Sequence, residues 1–340
     1  MRLLTFFMIT SLSLFVLISC DNGGDDSIYG ESSDYVYEEP DTANDNYQVR
    51  PDKNDKSIVT SDEDDEMNDS DSDTEAPDET VDPKEGMVLI PAGKAWVGCN
   101  ENQQSECPTA ELPYHEVITK GYYIDKYEVT VKDFAKCVAA DACGAEGTAY
   151  ETVGGNPFCN MNNSKQNHPM NCVSLFGANA YCEWVGKRLP SEAEWEKAAR
   201  GGCEIHGDDK CENDSFIYTW GNDGEPGCDK VNMANDGSDW GCGTDSTSTG
   251  GSYSASNSPY QCSDMLGNLY EWVADSWYDD HTDAPTDGSS RGTPDADGVI
   301  KGGSFMQHEV SQFRISYRAK QDTSEILYSR GFRCAMDATE

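Results

Sequence analysis

Apolar positions recur along this chain in several distinct rhythms. Leu3–Ile18 is a nearly unbroken apolar run, and between Asp21 and Lys84 large apolar residues almost vanish. Met87–Cys99, MVLIPAGKAWVGC, reads as short β-type runs around a Pro-Ala-Gly turn. Tyr114–Thr130 alternates apolar and polar residues as a half-buried strand does. Thr130 with Asp133 then reads as a helix N-cap, and Val131, Phe134, Ala135 and Val138 share one helical face. Ser174 caps a second predicted helix, whose buried side carries Ala178, Tyr181, Cys182 and Val185. A third opens on Ser191 with Glu194 three residues on, a capping box. Trp195, Ala198 and Ala199 form its apolar stripe, and Gly201–Gly202 end it. Gly201–Pro259 is rich in Gly, Asn, Asp, Ser and Thr and reads as a long loop region, of the kind that is functional or held by something. Cysteines and calcium are the two candidates for holding it.

The ends of the chain divide from this body. The opening apolar run is short for a membrane span, and Leu17-Ile18-Ser19-Cys20 matches a bacterial lipobox. Residues 1–20 are therefore expected to be a lipoprotein signal peptide, with Cys20 acylated after cleavage. Residues 21–84 hold roughly half of the net charge of −39 and too few apolar groups to offset ordering entropy. They are expected to be a disordered acidic linker. The remaining acidity leaves no basic stripe for phosphates, which excludes nucleic acid as a partner. Residues 85–338 show no internal repeat and no Pro/Ser-rich break, so they are taken as one large α+β domain.

Four motifs in this body, GKRLPSEAEWEKAARGG, SDMLGNLYEWV, KGGSF and GFRCA, resemble in wording and order the formylglycine-generating (sulfatase-modifying factor) family. That resemblance implies a variant of the C-type lectin fold with little regular secondary structure, stabilised by disulfides and calcium. It implies a calcium loop at Ser263–Asp275, with Asp264 and Glu271 binding through side chains and Gly267 and Leu269 through carbonyls. Asn232 would belong to a second calcium site. It also implies a disulfide between Cys182 and Cys334. The residues alone say less about pairing: 13 cysteines remain without Cys20, so at least one is free or paired between molecules. Cys137–Cys143 and Cys203–Cys211 are short-range options, and the absence of C-x-x-C argues against zinc.

In the family's oxidases, two cysteines five residues apart after GGS bind copper(I) and support oxidation of a substrate cysteine to formylglycine. The matching positions here are Gln307 and Gln312, neutral amides with no thiolate. Copper is not expected. An iron site would need two histidines and a carboxylate, and none of the five histidines has local ligand spacing. His308 with Glu309 is the remaining candidate. The expectation is a lipid-anchored protein of the bacterial envelope, inner or outer membrane left open. It would use Gln307, His308 and Gln312 to bind an envelope or extracellular protein or a glycan. The alternative is a protein-modifying oxidoreductase of the same family working through a different site.

Overall fold

A computed structural model describes residues 84–143, 158–161, 163, 165–213, 215–236, 239–295 and 297–338. Cys20, the leader and nearly all of the acidic linker lie outside them. No helix among the described residues is long and apolar enough to cross a membrane.

The Pro-Ala-Gly turn separates β1 (Met87–Ile90) from β2 (Gly93–Val97). The alternating segment is two strands rather than one, β3 (His115–Thr119) and β4 (Tyr122–Asp125), broken at Lys120-Gly121. β2 and β3 pair antiparallel, while β4 lies between β1 and the last strand, β9 (Ala335–Asp337). A four-stranded sheet holds β5 (Tyr270–Ser276), β6 (Asp297–Lys301), β7 (Arg318–Asp322) and β8 (Arg330–Gly331) in the order β7-β6-β5-β8. Only β5 and β8 run parallel within it.

The predicted caps are built. In α1 (Val131–Ala139) the Thr130 hydroxyl accepts the Asp133 N–H at 3.2 Å. In α2 (Leu175–Trp184) Ser174 accepts from Gly177 at 3.2 Å. In α3 (Glu192–Arg200) Ser191 accepts from Glu194 at 3.1 Å, and the Glu194 carboxylate accepts the Ser191 N–H at 2.9 Å. The stripe on α3 predicts one buried face, yet every residue from Glu192 to Arg200 is buried. Its charged positions find partners on neighbouring elements, which lets a polar helix sit inside the core.

Two apolar clusters flank β5. One gathers Phe134, Tyr181, Trp272 and Phe332; the other gathers Ile90, Tyr122, Trp195, Ala198 and Phe313. Cys182 is bonded to Cys334, joining α2 to the last strand across 152 residues of sequence. Closing a loop of that length stabilises a fold by about 5 kcal/mol in the chain-entropy account. The other pairs are Cys99–Cys107, Cys137–Cys143, Cys159–Cys172, Cys203–Cys211 and Cys228–Cys242. Cys262 is the free thiol among the described residues. The Gly201–Pro259 region is not all loop. It opens with two short helices, α4 (Cys203–His206) and α5 (Asp208–Asn213), pinched by Cys203–Cys211.

Candidate functional site

The segment after β6 turns on two glycines. Gly302 (φ +97°) and Gly303 (φ +78°) occupy the left-handed region. A Cβ on Gly302 would meet the Met265 carbonyl at 2.7 Å, and one on Gly303 would meet the Phe313 ring at 2.8 Å. No other residue makes this turn cheaply. It delivers Ser304, whose hydroxyl donates to the Gln307 amide oxygen, while the Gln307 carbonyl accepts the Ala234 N–H at 2.8 Å. A 3-10 turn, Val310–Phe313, then presents Gln312 near Tyr317, whose ring packs on that of Tyr270 with centroids 6.4 Å apart. Arg314 anchors the segment on Glu111 at 2.6 and 2.9 Å, and Arg318 grips Glu192 at 2.9 Å through both nitrogens.

Both glutamines are half-buried on a segment whose face turns back on Gly303, where a Cβ would lie 3.2 Å from the Gln312 carbonyl. His308 is exposed and lies 3.3 Å from an equally exposed Glu309. No group of three His, Cys, Asp or Glu among the described residues is arranged to hold a metal, so the iron candidate finds no third ligand. Around this face the structure adds groups that sequence reasoning missed. Arg330 lies over the Tyr270 ring, 5.0 Å from its centroid. Tyr328 packs against Phe158 and Trp240, with centroids 5.3 and 6.5 Å away. These residues come from distant parts of the chain and carry no shared spacing.

Of the residues implied for calcium, Gly267 and Asn232, which the resemblance assigns to separate sites, come together. Gly267 sits so close to Asn232 that a Cβ there would lie 2.7 Å from the Asn232 carbonyl. That carbonyl accepts the Asn268 N–H at 2.9 Å. Glu271, however, is already taken. Its two oxygens accept Arg333 Nε and Nη2, both at 2.7 Å, and one also accepts the Trp195 indole N–H at 2.8 Å. It does not fit as a calcium ligand here, because a guanidinium occupies the place of the cation. Asp264 spends one oxygen on the Gly251 N–H at 2.6 Å. Two observations still suit a bound cation. The side-chain oxygen of the buried Asn232 has no hydrogen-bond partner. Glu128, unflagged by sequence, stands buried beside Asp264 and Glu271. Burial, and then those two acids, push the Glu128 carboxyl well above the carboxylate range. Asp264 is pushed up as well, chiefly by burial.

A second charged cluster lies beneath α3. Lys301 bonds Glu196 at 2.8 Å and Glu192 at 3.3 Å, and Asp275 accepts the Glu192 N–H at 2.7 Å. Burial pushes the Glu192 carboxyl up, but Arg318 and Lys301 outweigh it and hold it down at about 2. Burial and then the Glu192 charge push Asp275 up to about 7. Burial lowers His281 to about 4. The signs differ. Asp275, raised, contributes stability below its ordinary 3.8 that is lost as pH rises through about 7. His281, lowered, contributes stability above 6.5 that is lost as pH falls through about 4. Between roughly pH 6.5 and 4 these two slopes cancel, each at about 1.4 kcal/mol per pH unit. Glu192 then decides the acid limb. Its contribution is present above 4.5 and lost as pH falls through about 2. Read by urea midpoints, this cluster is expected to add no slope from about pH 6.5 to 4.5 and a loss of about 3 kcal/mol below that, on top of the separate fall with rising pH that the raised Glu128 and Asp264 carboxyls give. A monotonic fall starting at neutral pH would contradict this pairing.

Residues 72–338 match the family described as sulfatase-modifying factor enzyme 1-like domain. The chain belongs to this family. The match starts at residue 72, ahead of the boundary read at 85. Mouse formylglycine-generating enzyme is 30% identical over 296 residues, covering 74% of this chain and 75% of that one. Formylglycine-generating enzyme of Thermomonospora curvata is 30% identical over 303 residues, covering 74% of this chain and 93% of that one. Among solved structures, PvdO from Pseudomonas aeruginosa superposes with a TM-score of 0.56 at 25% identity, covering 74% of this chain and 94% of that one. The single α+β domain with few regular elements and several disulfides is the family's architecture, consistent with the C-type-lectin-like fold.

Proposed function

We propose that this chain is a recognition member of the sulfatase-modifying factor family, without the copper(I)-dependent cysteine oxidase chemistry. One observation carries the reading: Gln307 and Gln312 stand where the family's oxidases carry thiolates, Gln307 accepting from the Ser304 hydroxyl and Gln312 lying near Tyr317. Cys262 offers no substitute thiol. It is buried, and burial pushes it up to about 11, which keeps it protonated and unreactive. The face instead offers amides, tyrosines and an arginine on a rigid core, a composition suited to binding. The ligand would be an envelope or extracellular protein or a glycan. Acylation at Cys20 would tether the domain to a bacterial membrane, and the acidic segment would hold it clear of the surface. Calcium, where bound, would use the free oxygen of Asn232 and the Asp264 carboxylate to brace the turn behind this face.

Relatives named as formylglycine-generating enzymes favour a second reading, an oxidoreductase working through other groups. The two separate in one assay. The chain, purified with its disulfides intact, is incubated with a cysteine peptide, copper(I) and oxygen. Recognition alone leaves the peptide mass unchanged and the copper with a competing chelator. An aldehyde product, read by hydrazine trapping, would establish the enzyme instead.

A further inference from the structure

Arg188, Arg200, Arg314, Arg318 and Arg333 all ion-pair with carboxylates, at distances between 2.6 and 3.0 Å. Arg330 forms no such pair, and neither does Arg291, which donates to the Asp280 and Thr282 carbonyls. Arg330 Nε and Nη2 donate to the Gln321 amide oxygen at 3.3 and 2.7 Å, and Nη1 donates to the Ser329 hydroxyl. Both acceptors are neutral. Glu325 reaches it only through Gln321, whose amide nitrogen donates to that carboxylate. A guanidinium carries five N–H bonds, so those left over lie on Nη1 and Nη2, the end-on fork that matches a carboxylate. Burial pulls this guanidinium below its ordinary range, against the fields of Tyr270 and Glu325. The chain has 63 acidic residues against 24 basic ones, and among the described residues no carboxylate accepts a hydrogen bond from Arg330.

The setting is aromatic. Tyr270 supports the guanidinium plane from one side. Tyr270 packs on Tyr317, with ring centroids 6.4 Å apart, and Tyr317 lies near Gln312, which places Arg330 beside the face described above. Tyr328, two residues before Arg330, packs on Phe158 and Trp240. A half-desolvated cation without a counter-ion costs free energy that an incoming anion recovers.

We infer that Arg330 anchors a carboxylate of the ligand, with an aromatic group of that ligand packed against the half-exposed Tyr328 and Trp240 rings. This rests on the recognition reading and names the chemistry that face would take. The probes are 3-phenylpropanoate, its primary amide, and a capped Phe-Asp dipeptide, titrated against the full chain by saturation-transfer NMR and tryptophan fluorescence. The free acid or the dipeptide is expected to bind, the tighter of the two marking a small-molecule or a peptide source. The amide is expected to bind at least tenfold more weakly. Arg330→Gln should lose at least tenfold toward the bound acid and Arg330→Lys less, each variant melting near the parent temperature. Equal binding by acid and amide, unchanged binding by Arg330→Gln, or no binding of either acid would overturn the inference while leaving the recognition reading in place. An aldehyde product in the peptide assay would overturn that reading without altering the Arg330 result.

Discussion

Replacing Arg333 with Met is expected to remove about 3–5 kcal/mol of stability, the usual loss when one partner of a buried ion pair is taken away. Arg333 and Glu271 are both fully buried, and the guanidinium spends its nitrogens on five acceptors. Besides the two Glu271 oxygens these are the carbonyls of Asp125 at 3.0 Å, Lys126 at 3.1 Å and Ser263 at 2.9 Å. One side chain thus joins the end of β4, the turn before Asp264 and the start of β5. Without it Glu271 would stay buried with only the Trp195 N–H, beside Glu128 and Asp264, three acids with no cation between them. The loss should show in urea unfolding at neutral pH with disulfides intact. A double variant, Arg333→Met with Glu271→Leu, should recover a large part of it, because no charge is then stranded. A loss below about 1 kcal/mol in the single variant, the range of an exposed pair, would show that the pair is not desolvated as the geometry requires. Calcium extends the test. If an ion braces Asn232 and Asp264, adding it should restore stability to Arg333→Met more than to the parent, since the local acid excess is larger there.

What was legible in advance follows from how local each signal is. The three helix caps depend on residues three apart, and all three form as read. Trp272 and the apolar face of α2 are core in the structure because their spacing is short-range too. β7 carries no apolar signal because its buried positions are Arg318 and Gln321, and Arg318 pairs with Glu192 from a helix more than a hundred residues earlier. No hydrophobic alternation marks such a strand. The same cause hid the burial of α3, whose Glu192, Glu196, Lys197 and Arg200 look solvent-facing until Lys301 and Arg318 are brought to them. At the site, Gln307 and Gln312 were visible as replacements because a motif frames them. Arg330, Tyr270 and Glu128 were not, since their roles exist only after β5, β8 and the end of β4 have met.

Gln307→Cys with Gln312→Cys is expected to give copper(I) a pair of thiolates, a gain in affinity over the parent of at least about a thousandfold, some 4 kcal/mol. Two thiolates are soft ligands that favour copper(I), and two amides are not. The backbone that presents the pair is already set, with Gly302 and Gly303 forced into their turn by Met265 and Phe313, and Arg314 and Arg318 holding the far end. The substitutions give up the hydrogen bond between Ser304 and Gln307, a loss of about 1 kcal/mol that six disulfides and a large core tolerate. Competition with a copper(I) chelator under mild reductant, one equivalent per chain, reads the gain. Cys262, buried and held protonated, contributes nothing to that stoichiometry in the parent. Failure of the double variant to bind would mean that this face departs from the family's by more than two side chains. Copper binding without aldehyde formation would place the remaining difference among the groups around it, with Arg330 and Tyr270 the first to exchange. Binding together with turnover would mean that two glutamines alone separate this chain from its catalytic relatives.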